Sequence, residues 1–323
     1  MVKKRVFLLF VFSVTLMISC SDLPTTKPLR VGFNTWPGYE FIYLAKVKGY
    51  FEEEDVQVKL VELNSLSDVR RAFERGQIDI MASTMVEVLV AAENSNRSLK
   101  IIAVADSSNG GDMLLAAKPI SQVSQLKGKK LGLEGATVDV LAAGAALRSA
   151  GLTFEDVQVV PKSQDDLVAD LKAGKIDAIE TYPPYAIDLL ATGKFNKIFD
   201  SSKIPGEIID TISIDKNVLN SQRAQIRSFL KAYFRAFDYF KMEPQKSSAI
   251  MGKREGISGD EFLEAINGMT VFGLDDQLPF LLANEKGGKV LQQSAEFLTD
   301  TGWLREPVDV SQFFDPNPKD ILP

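Results

Sequence analysis

The stretch that decides the fold is residues 29–62, LRVGFNTWPGYEFIYLAKVKGYFEEEDVQVKLVE. It opens with a short, mostly apolar run, which the turn-forming segment 34–38 interrupts. Apolar residues at helical spacing follow and end at Gly49, where a helix C-terminus is expected. Alternating side chains over residues 56–61 predict a second strand. The stretch therefore predicts a βαβ unit, whose two strands are parallel and joined by a right-handed crossover.

The same unit recurs about one hundred residues later, as an internal repeat would. Short segments return in the same order: 30–33 at 130–133, 54–58 at 155–159, and 76–79 at 174–177. The sequence EDVQV of residues 54–58 returns letter for letter. We therefore predict an α/β fold of two similar lobes, each a mostly parallel sheet flanked by helices. A small-ligand site is expected in the cleft between such lobes.

The chain is expected to cross between the lobes twice, and the two crossings form a hinge. We assign residues 29–112 and 212–323 to lobe 1 and residues 113–211 to lobe 2. The segment from residue 221 onward is predicted to be mostly helical and to pack on lobe 1 and on the hinge side. Residues 316–323 are predicted to form a loose tail.

The N-terminus, MVKKRVFLLFVFSVTLMISC, looks like a bacterial lipoprotein signal. A basic start precedes an apolar run over residues 6–18 that is short for a membrane span, and Cys20 follows. We predict a signal peptide over residues 1–19 and a tether over residues 20–28 that begins at the lipidated Cys20. An uncleaved anchor with an incidental cysteine is the alternative. Both place the remaining chain outside the cytoplasm, and lipid on Cys20, such as palmitate, would hold it on the bacterial cell membrane or on the outer membrane facing the periplasm.

Composition excludes several classes of function. The 323 residues carry a formal net charge of −6 with no basic cluster, which argues against a nucleic-acid partner. The sequence contains no histidine and a single cysteine, so it lacks Ser-His-Asp and Cys-His catalytic sets and histidine metal sites. We therefore predict a protein that is not an enzyme and that has no cofactor and no metal.

Loops at the ends of the predicted strands supply the candidate binding residues. They are Asn34, Trp36, Tyr39, Glu40, Ser83, Thr84, Ser108, Asn109, Asp112, Glu134, Thr137, Asp139, Glu180, Tyr182 and Asp210. Thr84 and Thr137 stand at predicted helix starts, where a hydroxyl and free N–H groups can hold an anion. The alternative is that both are ordinary N-caps. Trp36 is placed to stack on a flat or cationic ligand.

Several segments together resemble the extracytoplasmic solute-binding proteins of ABC importers for nitrate, sulfonates, taurine and thiamine precursors. They are 36–40 (WPGYE), 76–79 (GQID), 108–112 (SNGGD), 126–129 (LKGK), 174–178 (GKIDA) and 184–185 (PY). The resemblance covers roughly residues 29–240. It implies a type II periplasmic-binding-protein fold, a monomer that closes over a small solute and delivers it to a membrane permease driven by a cytoplasmic ATPase.

The charge of the candidate loops disagrees with an anionic ligand. These loops contain six carboxylates and no lysine or arginine: Glu40, Asp112, Glu134, Asp139, Glu180 and Asp210. A negative cleft repels anions and attracts cations. We therefore expect an amine or a nitrogen heterocycle, and the alternative is a sulfonate, taurine or nitrate held by helix N-termini.

Two other functions stay open at this point. A binding module that signals to a membrane receptor would have the same sequence features as a transport protein. An enzyme is the third possibility, because thiamine-pyrimidine synthases of the fungal type resemble this family. Those synthases carry a cysteine-rich motif and a histidine, which this sequence lacks.

Overall fold

Two mixed β-sheets, each flanked by helices, form the core of the protein. The computed structural model describes residues 27–323, so the predicted signal peptide and Cys20 lie outside the described residues. The strands are β1 (Leu29–Phe33), β2 (Val58–Glu62), β3 (Ile80–Thr84), β4 (Leu99–Ser108), β5 (Met113–Ala117), β6 (Lys130–Leu133), β7 (Gln158–Pro161), β8 (Ala178–Thr181), β9 (Phe195–Asp200), β10 (Ile209–Asp215) and β11 (Met269–Val271).

The helices cover both sheets and form most of the C-terminal third of the chain. They are α1 (Glu40–Val47), α2 (Tyr50–Glu53), α3 (Leu66–Glu74), α4 (Met85–Asn94), α5 (Val138–Ser149), α6 (Gln164–Lys172), α7 (Tyr185–Ala191), α8 (Lys216–Ser221), α9 (Arg223–Met242), α10 (Pro244–Glu255), α11 (Gly259–Ile266), α12 (Leu278–Leu281) and α13 (Lys286–Asp300). Within residues 27–323, no helix is both long enough and apolar enough to span a membrane.

The first sheet has the strand order β11-β4-β10-β3-β1-β2 and the second has the order β7-β6-β8-β5-β9. We call the first sheet with its helices lobe 1 and the second lobe 2. The two-lobed α/β prediction is confirmed. The sheets are mixed rather than mostly parallel, because the strands next to each crossing run antiparallel to their neighbours. The predicted lobe boundary between residues 211 and 212 falls inside β10, and all of β10 pairs within the first sheet.

The repeated Gly-x-Ile-Asp segments have the same structural role in both lobes. Gly76 and Gly174 follow α3 and α6 with φ of +69° and +68°, a conformation that glycine adopts without strain. The aspartate three residues later then accepts a hydrogen bond from a backbone amide of the first strand of the repeat, which is β1 in lobe 1 and β6 in lobe 2. Asp79 Oδ2 lies 3.0 Å from the Arg30 amide nitrogen, and Asp177 Oδ2 lies 2.8 Å from that of Lys130. The motif therefore ends a helix and fixes the next strand beside the first.

The C-terminal helices connect the two lobes. In α9, Phe229 stacks on Phe51 with ring centres 5.5 Å apart, which attaches this helix to lobe 1 as the sequence predicts. The last long helix, α13, packs on α4 of lobe 1 and also on α5 of lobe 2. Its Phe297 lies so close to Gly144 of α5 that a Cβ at this glycine would overlap the ring. The C-terminal region therefore contacts lobe 2 as well as lobe 1.

The predicted loose tail is wrong. Residues Pro318, Ile321 and Leu322 are buried, and Ile321 is completely inaccessible to solvent. The carbonyl of Phe314 accepts a hydrogen bond of 2.7 Å from Lys100 Nζ, next to a β-bridge between Phe314 and Ile101. The prediction failed because the prolines and polar residues of this segment indicated a loop, while its few apolar residues are covered by surfaces distant in sequence.

Replacing Ile321 by alanine is expected to lower the free energy of unfolding by about 2–5 kcal/mol, because a fully buried side chain leaves a cavity. Lys319→Ala is the matched control, since Lys319 is exposed in the same segment, and it should leave stability unchanged. Urea unfolding of both variants measures the difference. Equal stability of the two would show that the tail is not part of the core.

Candidate functional site

The lobes meet around a small closed cavity at the carboxyl ends of the central strands. It is lined by Asn34, Trp36, Tyr39, Leu66, Thr84, Asp112, Val138, Tyr182 and Asp210. Its free volume is about 10 Å³, which is room for one water molecule. Trp36 of lobe 1 meets Tyr182 of lobe 2 edge to face, with ring centres 6.0 Å apart. The lobes are therefore closed on each other at this point.

Most of the predicted site residues lie in or around this cavity. Those that line it are Asn34, Trp36, Tyr39, Thr84, Asp112, Tyr182 and Asp210. Four more are buried beside it in lobe 2: Glu134, Thr137, Asp139 and Glu180. Ser83 is buried at the end of β3, where its carbonyl accepts a 2.9 Å hydrogen bond from the Thr211 hydroxyl. Ser108, Glu40 and Asn109 do not line the cavity.

Two carboxyls of lobe 1 face the cavity behind its aromatic residues. Trp36 Nε1 donates a hydrogen bond of 3.1 Å to Asp106 Oδ2, and the Tyr39 hydroxyl donates one to Asp210 Oδ1. A Cβ at Gly38 would overlap the Asp106 carboxyl, so glycine permits this close approach. Burial raises the pKa of Asp106 to about 7, and burial and the charge of Asp106 raise the pKa of Asp210 well above its ordinary range. The second oxygen of each carboxyl has no hydrogen-bond partner in the described structure.

Asp112 lies on the first crossing between the lobes and brings a third carboxyl to the cavity. Burial raises its pKa to about 6, and its Oδ2 has no hydrogen-bond partner in the described residues. Ser108 does not line the cavity, because its hydroxyl lies 2.7 Å from the Ser201 hydroxyl of the other crossing. The Ser201 amide in turn donates a 2.9 Å hydrogen bond to the Asp112 carbonyl. Ser108 and Ser201 therefore join the two crossings.

Lobe 2 adds three further buried carboxyls. Asp139 Oδ2 accepts hydrogen bonds from the Glu134 amide at 2.7 Å and from Gln164 Nε2 at 3.1 Å. Neither carboxyl oxygen of Glu180 has a partner in the described structure. Burial, followed by the charge of Asp139, raises the pKa of Glu180 well above its ordinary range. Burial, followed by the charge of Glu134, likewise raises the pKa of Asp139 well above its ordinary range.

Two glutamates cross between the lobes. Glu87 of α4 accepts a 2.8 Å hydrogen bond from the Val138 amide at the start of α5. Glu134 follows β6 and accepts a 2.9 Å hydrogen bond from the Ser67 amide at the start of α3. Burial raises the pKa of both glutamates, and these hydrogen bonds act in the opposite direction. Thr84 and Thr137 are N-caps, and their hydroxyls accept hydrogen bonds from their own helices.

The site thus concentrates negative charge without a compensating cation. Seven carboxyl residues are at most 4% exposed there: Glu87, Asp106, Asp112, Glu134, Asp139, Glu180 and Asp210. None of the residues lining the cavity is lysine or arginine. None of these seven carboxyls accepts a hydrogen bond from a lysine or arginine among residues 27–323. Within the same residues, no group of three or more acidic or cysteine side chains is arranged to hold a metal ion.

Sequence reasoning missed five residues of this region. Leu66 and Val138 line the cavity, Glu87 and Ser67 take part in hydrogen bonds between the lobes, and Asp106 accepts a hydrogen bond from Trp36 behind the cavity. Asp106 directly follows an apolar strand-like run, and this position was a usable signal for it. Glu87 lies in the first turn of the helix predicted to start at Thr84, and its contact with the other lobe depends on how the lobes meet.

Glu40 and Asn109 do not reach the cavity. Glu40 is fully buried on the other side of α1 and forms an ion pair with Arg254 of α10. Burial raises the pKa of Glu40 to about 8, because the loss of water outweighs the charge and hydrogen bond of this arginine, and the negative charge of Glu62 acts in the same direction as burial. The Asn109 side chain is exposed, and the backbone N–H of Asn109 donates a 2.8 Å hydrogen bond to the Gly268 carbonyl. The acid at position 40 therefore has a structural contact that its place in the first helical turn does not reveal.

Comparison with known proteins shows the class of this fold. The family model described as NMT1/THI5 like matches residues 36–247, which span both lobes. A Brucella abortus protein that carries the name of a binding protein is 23% identical over 319 residues, 97% of each chain. The 4-amino-5-hydroxymethyl-2-methylpyrimidine phosphate synthase THI13 of Saccharomyces cerevisiae is 24% identical over 225 residues, 64% of each chain.

A solved structure adds to these similarities. The alkanesulfonate-binding protein SsuA of Xanthomonas axonopodis, bound to MOPS, superposes with a TM-score of 0.77 at 15% identity. The match covers 89% of this chain and 98% of that one. Together, the similarities confirm the periplasmic-binding-protein fold and the resemblance to solute-binding proteins of ABC importers.

Replacing Arg254 by methionine should lower the free energy of unfolding by about 3–5 kcal/mol at about pH 9, above the folded-state pKa of Glu40, because it leaves this carboxylate buried without its cation. The deficit should shrink toward about pH 6, below that pKa. Raised pKa values in the folded protein mean that protonation of Glu40 and Glu255 favours folding, so protons then replace the lost cation. Lys253→Met, at the exposed neighbouring position, is the control. Chemical unfolding at both pH values measures the effect, and a pH-independent deficit would contradict it.

Proposed function

Because the chain belongs to the NMT1/THI5-like family, we propose that it is an extracytoplasmic solute-binding protein of an ABC importer whose ligand is a protonated amine or a nitrogen heterocycle. The fold that it shares with the alkanesulfonate-binding protein supports the binding role. In this proposal the two lobes capture the solute and present it to a membrane permease driven by a cytoplasmic ATPase. Lipid on Cys20 would keep the protein at the membrane surface.

The observation that supports the ligand class is the set of buried carboxyls without a cation. A carboxylate that loses water and gains no counter-charge is strongly destabilised, so it either takes up a proton or requires a cationic partner. Asp112 and Asp210 line the cavity and Asp106 lies behind Trp36, and each of these carboxyls has one oxygen without a hydrogen-bond partner in the described structure. A cationic N–H donor supplies both the charge and the hydrogen bonds that these oxygens lack.

The aromatic residues favour a flat or cationic ligand. Trp36 and Tyr182 come from opposite lobes and line the same cavity, where a ring face attracts a cation or stacks on a heterocycle. The name of the yeast relative points to an aminopyrimidine, which is flat and rich in nitrogen. A sulfonate fits less well, since Val138 and Ser67 already donate their amide hydrogens to carboxylates of this chain.

Capture requires the lobes to open, because the closed cavity has room for about one water molecule. Contacts of the ligand with both lobes would favour closure, and only a higher affinity for the closed form shifts that equilibrium. The hinge lies at the paired crossings that Ser108 and Ser201 join.

The test is a ligand panel read by thermal unfolding and by intrinsic fluorescence. The panel contains amines, aminopyrimidines, taurine, alkanesulfonates and nitrate. A ligand at a hundredfold excess over its Kd should stabilise the protein by about 2.7 kcal/mol. Stabilisation by amines or aminopyrimidines is the expected result, whereas stabilisation by sulfonates or nitrate alone would overturn the proposed ligand class.

The two tryptophans provide a matched control for the location of binding. Trp36 lines the cavity, whereas Trp303 does not line it and packs on Phe154. Trp303→Phe should keep the ligand-dependent fluorescence change, and Trp36→Phe should lose it. Trp36→Ala should weaken binding without unfolding the protein, and unchanged affinity would place the ligand elsewhere.

Affinity for a cationic ligand should fall as the pH is lowered from 8 to 5. Burial raises the pKa values of Asp106 to about 7 and of Asp112 to about 6, so protons occupy these carboxyls over this range and compete with the cation. Binding should accordingly release protons. Titration calorimetry with a primary alkylamine, which stays protonated over this range and has N–H donors, in buffers of different ionisation enthalpy, measures both effects. An affinity for this amine that does not fall toward pH 5 would contradict the role of these carboxyls.

A further inference from the structure

Two glutamates cap helices of the lobe to which they do not belong. Glu87 is on lobe 1 and accepts the hydrogen bond of the Val138 amide, which begins α5 of lobe 2. Glu134 is on lobe 2 and accepts the hydrogen bond of the Ser67 amide, in the first turn of α3 of lobe 1. Glu87 is fully buried and Glu134 is 1% exposed. The arrangement is reciprocal, so each lobe supplies a carboxylate to the helix of the other.

The Glu87 carboxyl is saturated with donors. Its Oε1 accepts from the Val138 amide at 2.8 Å, and its Oε2 accepts from the Thr84 amide at 2.7 Å and the Thr84 hydroxyl at 2.6 Å. Three donors directed at one carboxyl favour its ionised form. The Glu87 carboxyl therefore occupies backbone donors at the N-termini of both α4 and α5.

The neighbouring N–H groups of the two cross-capped helices are also occupied. In α5 the Asp139 amide donates to the Thr137 hydroxyl and the Val140 amide to the Thr137 carbonyl, at 3.3 and 3.2 Å. In α3 the Asp68 amide donates to the Ser65 hydroxyl at 3.3 Å and the Val69 amide to the Ser65 carbonyl at 3.0 Å. The donors that would bind an oxyanion at these helix starts are satisfied by the protein itself.

We propose that Glu87 and Glu134 are specificity-determining residues that exclude anionic solutes from the interlobe site. Each places a carboxylate where a helix N-terminus would otherwise bind an oxyanion, so closure of the lobes brings negative charge to that point. Glu134 Oε2 is buried and accepts no hydrogen bond from the described residues 27–323, so a free acceptor oxygen lies beside the start of α3. The inference rests on the proposed binding function and extends it from the ligand class to the residues that enforce it.

Removal of either carboxylate should therefore create an anion site. Glu87→Ala frees the Val138 amide and the Thr84 amide together, and Glu134→Ala frees the Ser67 amide. Glu93→Ala is the matched control, because Glu93 is on α4 as well but contacts the Arg305 backbone rather than lobe 2. Each variant is made in the full-length protein and tested with methanesulfonate and with sulfate as probes.

Titration calorimetry at pH 8 is expected to show an affinity for methanesulfonate about tenfold higher in Glu87→Ala and in Glu134→Ala than in the wild type and in Glu93→Ala. The proposal is overturned if folded Glu87→Ala and Glu134→Ala bind both probes no better than the wild type does. If an alanine variant does not fold, Glu87→Gln and Glu134→Gln provide the test. These glutamine variants remove the charge and keep the side-chain size, so they should show a smaller gain in affinity for methanesulfonate. If they show no gain, the proposal is equally overturned.

The outcomes separate this inference from the proposed ligand class. If the wild-type protein binds amines and the variants gain no affinity for anions, the glutamates do not exclude anions, and the proposed function still holds. Wild-type protein that binds no amine, with variants that gain methanesulfonate, would remove the cationic ligand and leave the excluding role standing.

Discussion

The constraint on which the rest of the site depends is the burial of negative charge where the lobes meet. Seven carboxyl residues are nearly inaccessible there, and no lysine or arginine lines the cavity between them. Such a boundary is stable only when backbone amides, protons or a cation supply what water no longer does. Glu87 and Glu134 accept hydrogen bonds from backbone amides of the opposite lobe. Burial and neighbouring carboxyls raise the pKa values of Asp139 and Glu180, and the acids around Trp36 retain oxygens without hydrogen-bond partners in the described structure.

The placement of these carboxyls at helix N-termini suggests how one fold can serve ligands of different charge. Helices that start at a cleft present N–H groups to it, and such groups suit an anion. In this chain, carboxylates from the facing lobe occupy those groups, so the same helix geometry is surrounded by negative charge. The fold therefore supplies the position of the site, and in our proposal a few acidic side chains decide the sign of the charge that it accepts.

The hinge and the C-terminal helices limit how the lobes can move. Ser108 and Ser201 join the two crossings by a short hydrogen bond, so the crossings are expected to bend together. Helix α13 packs on both α4 and α5, with Phe297 seated against Gly144. When the lobes open, α13 must either keep its contact with α5 or slide along it, because packed side chains resist continuous deformation. The buried tail around Ile321 adds to the rigidity of lobe 1.

The sequence by itself determined the two-lobed α/β fold, because repeated Gly-x-Ile-Asp segments and strand-helix periodicity are local signals. It also placed Asn34, Trp36, Tyr39, Asp112, Tyr182 and Asp210 at the site, since residues that follow strands gather at one edge of a sheet. Only the tertiary structure decided which acids face the cavity. Glu40 is paired with Arg254 more than two hundred residues away, Asp106 lies behind Trp36, and Glu87 reaches the other lobe. These contacts join residues distant in sequence, so no local pattern encodes them.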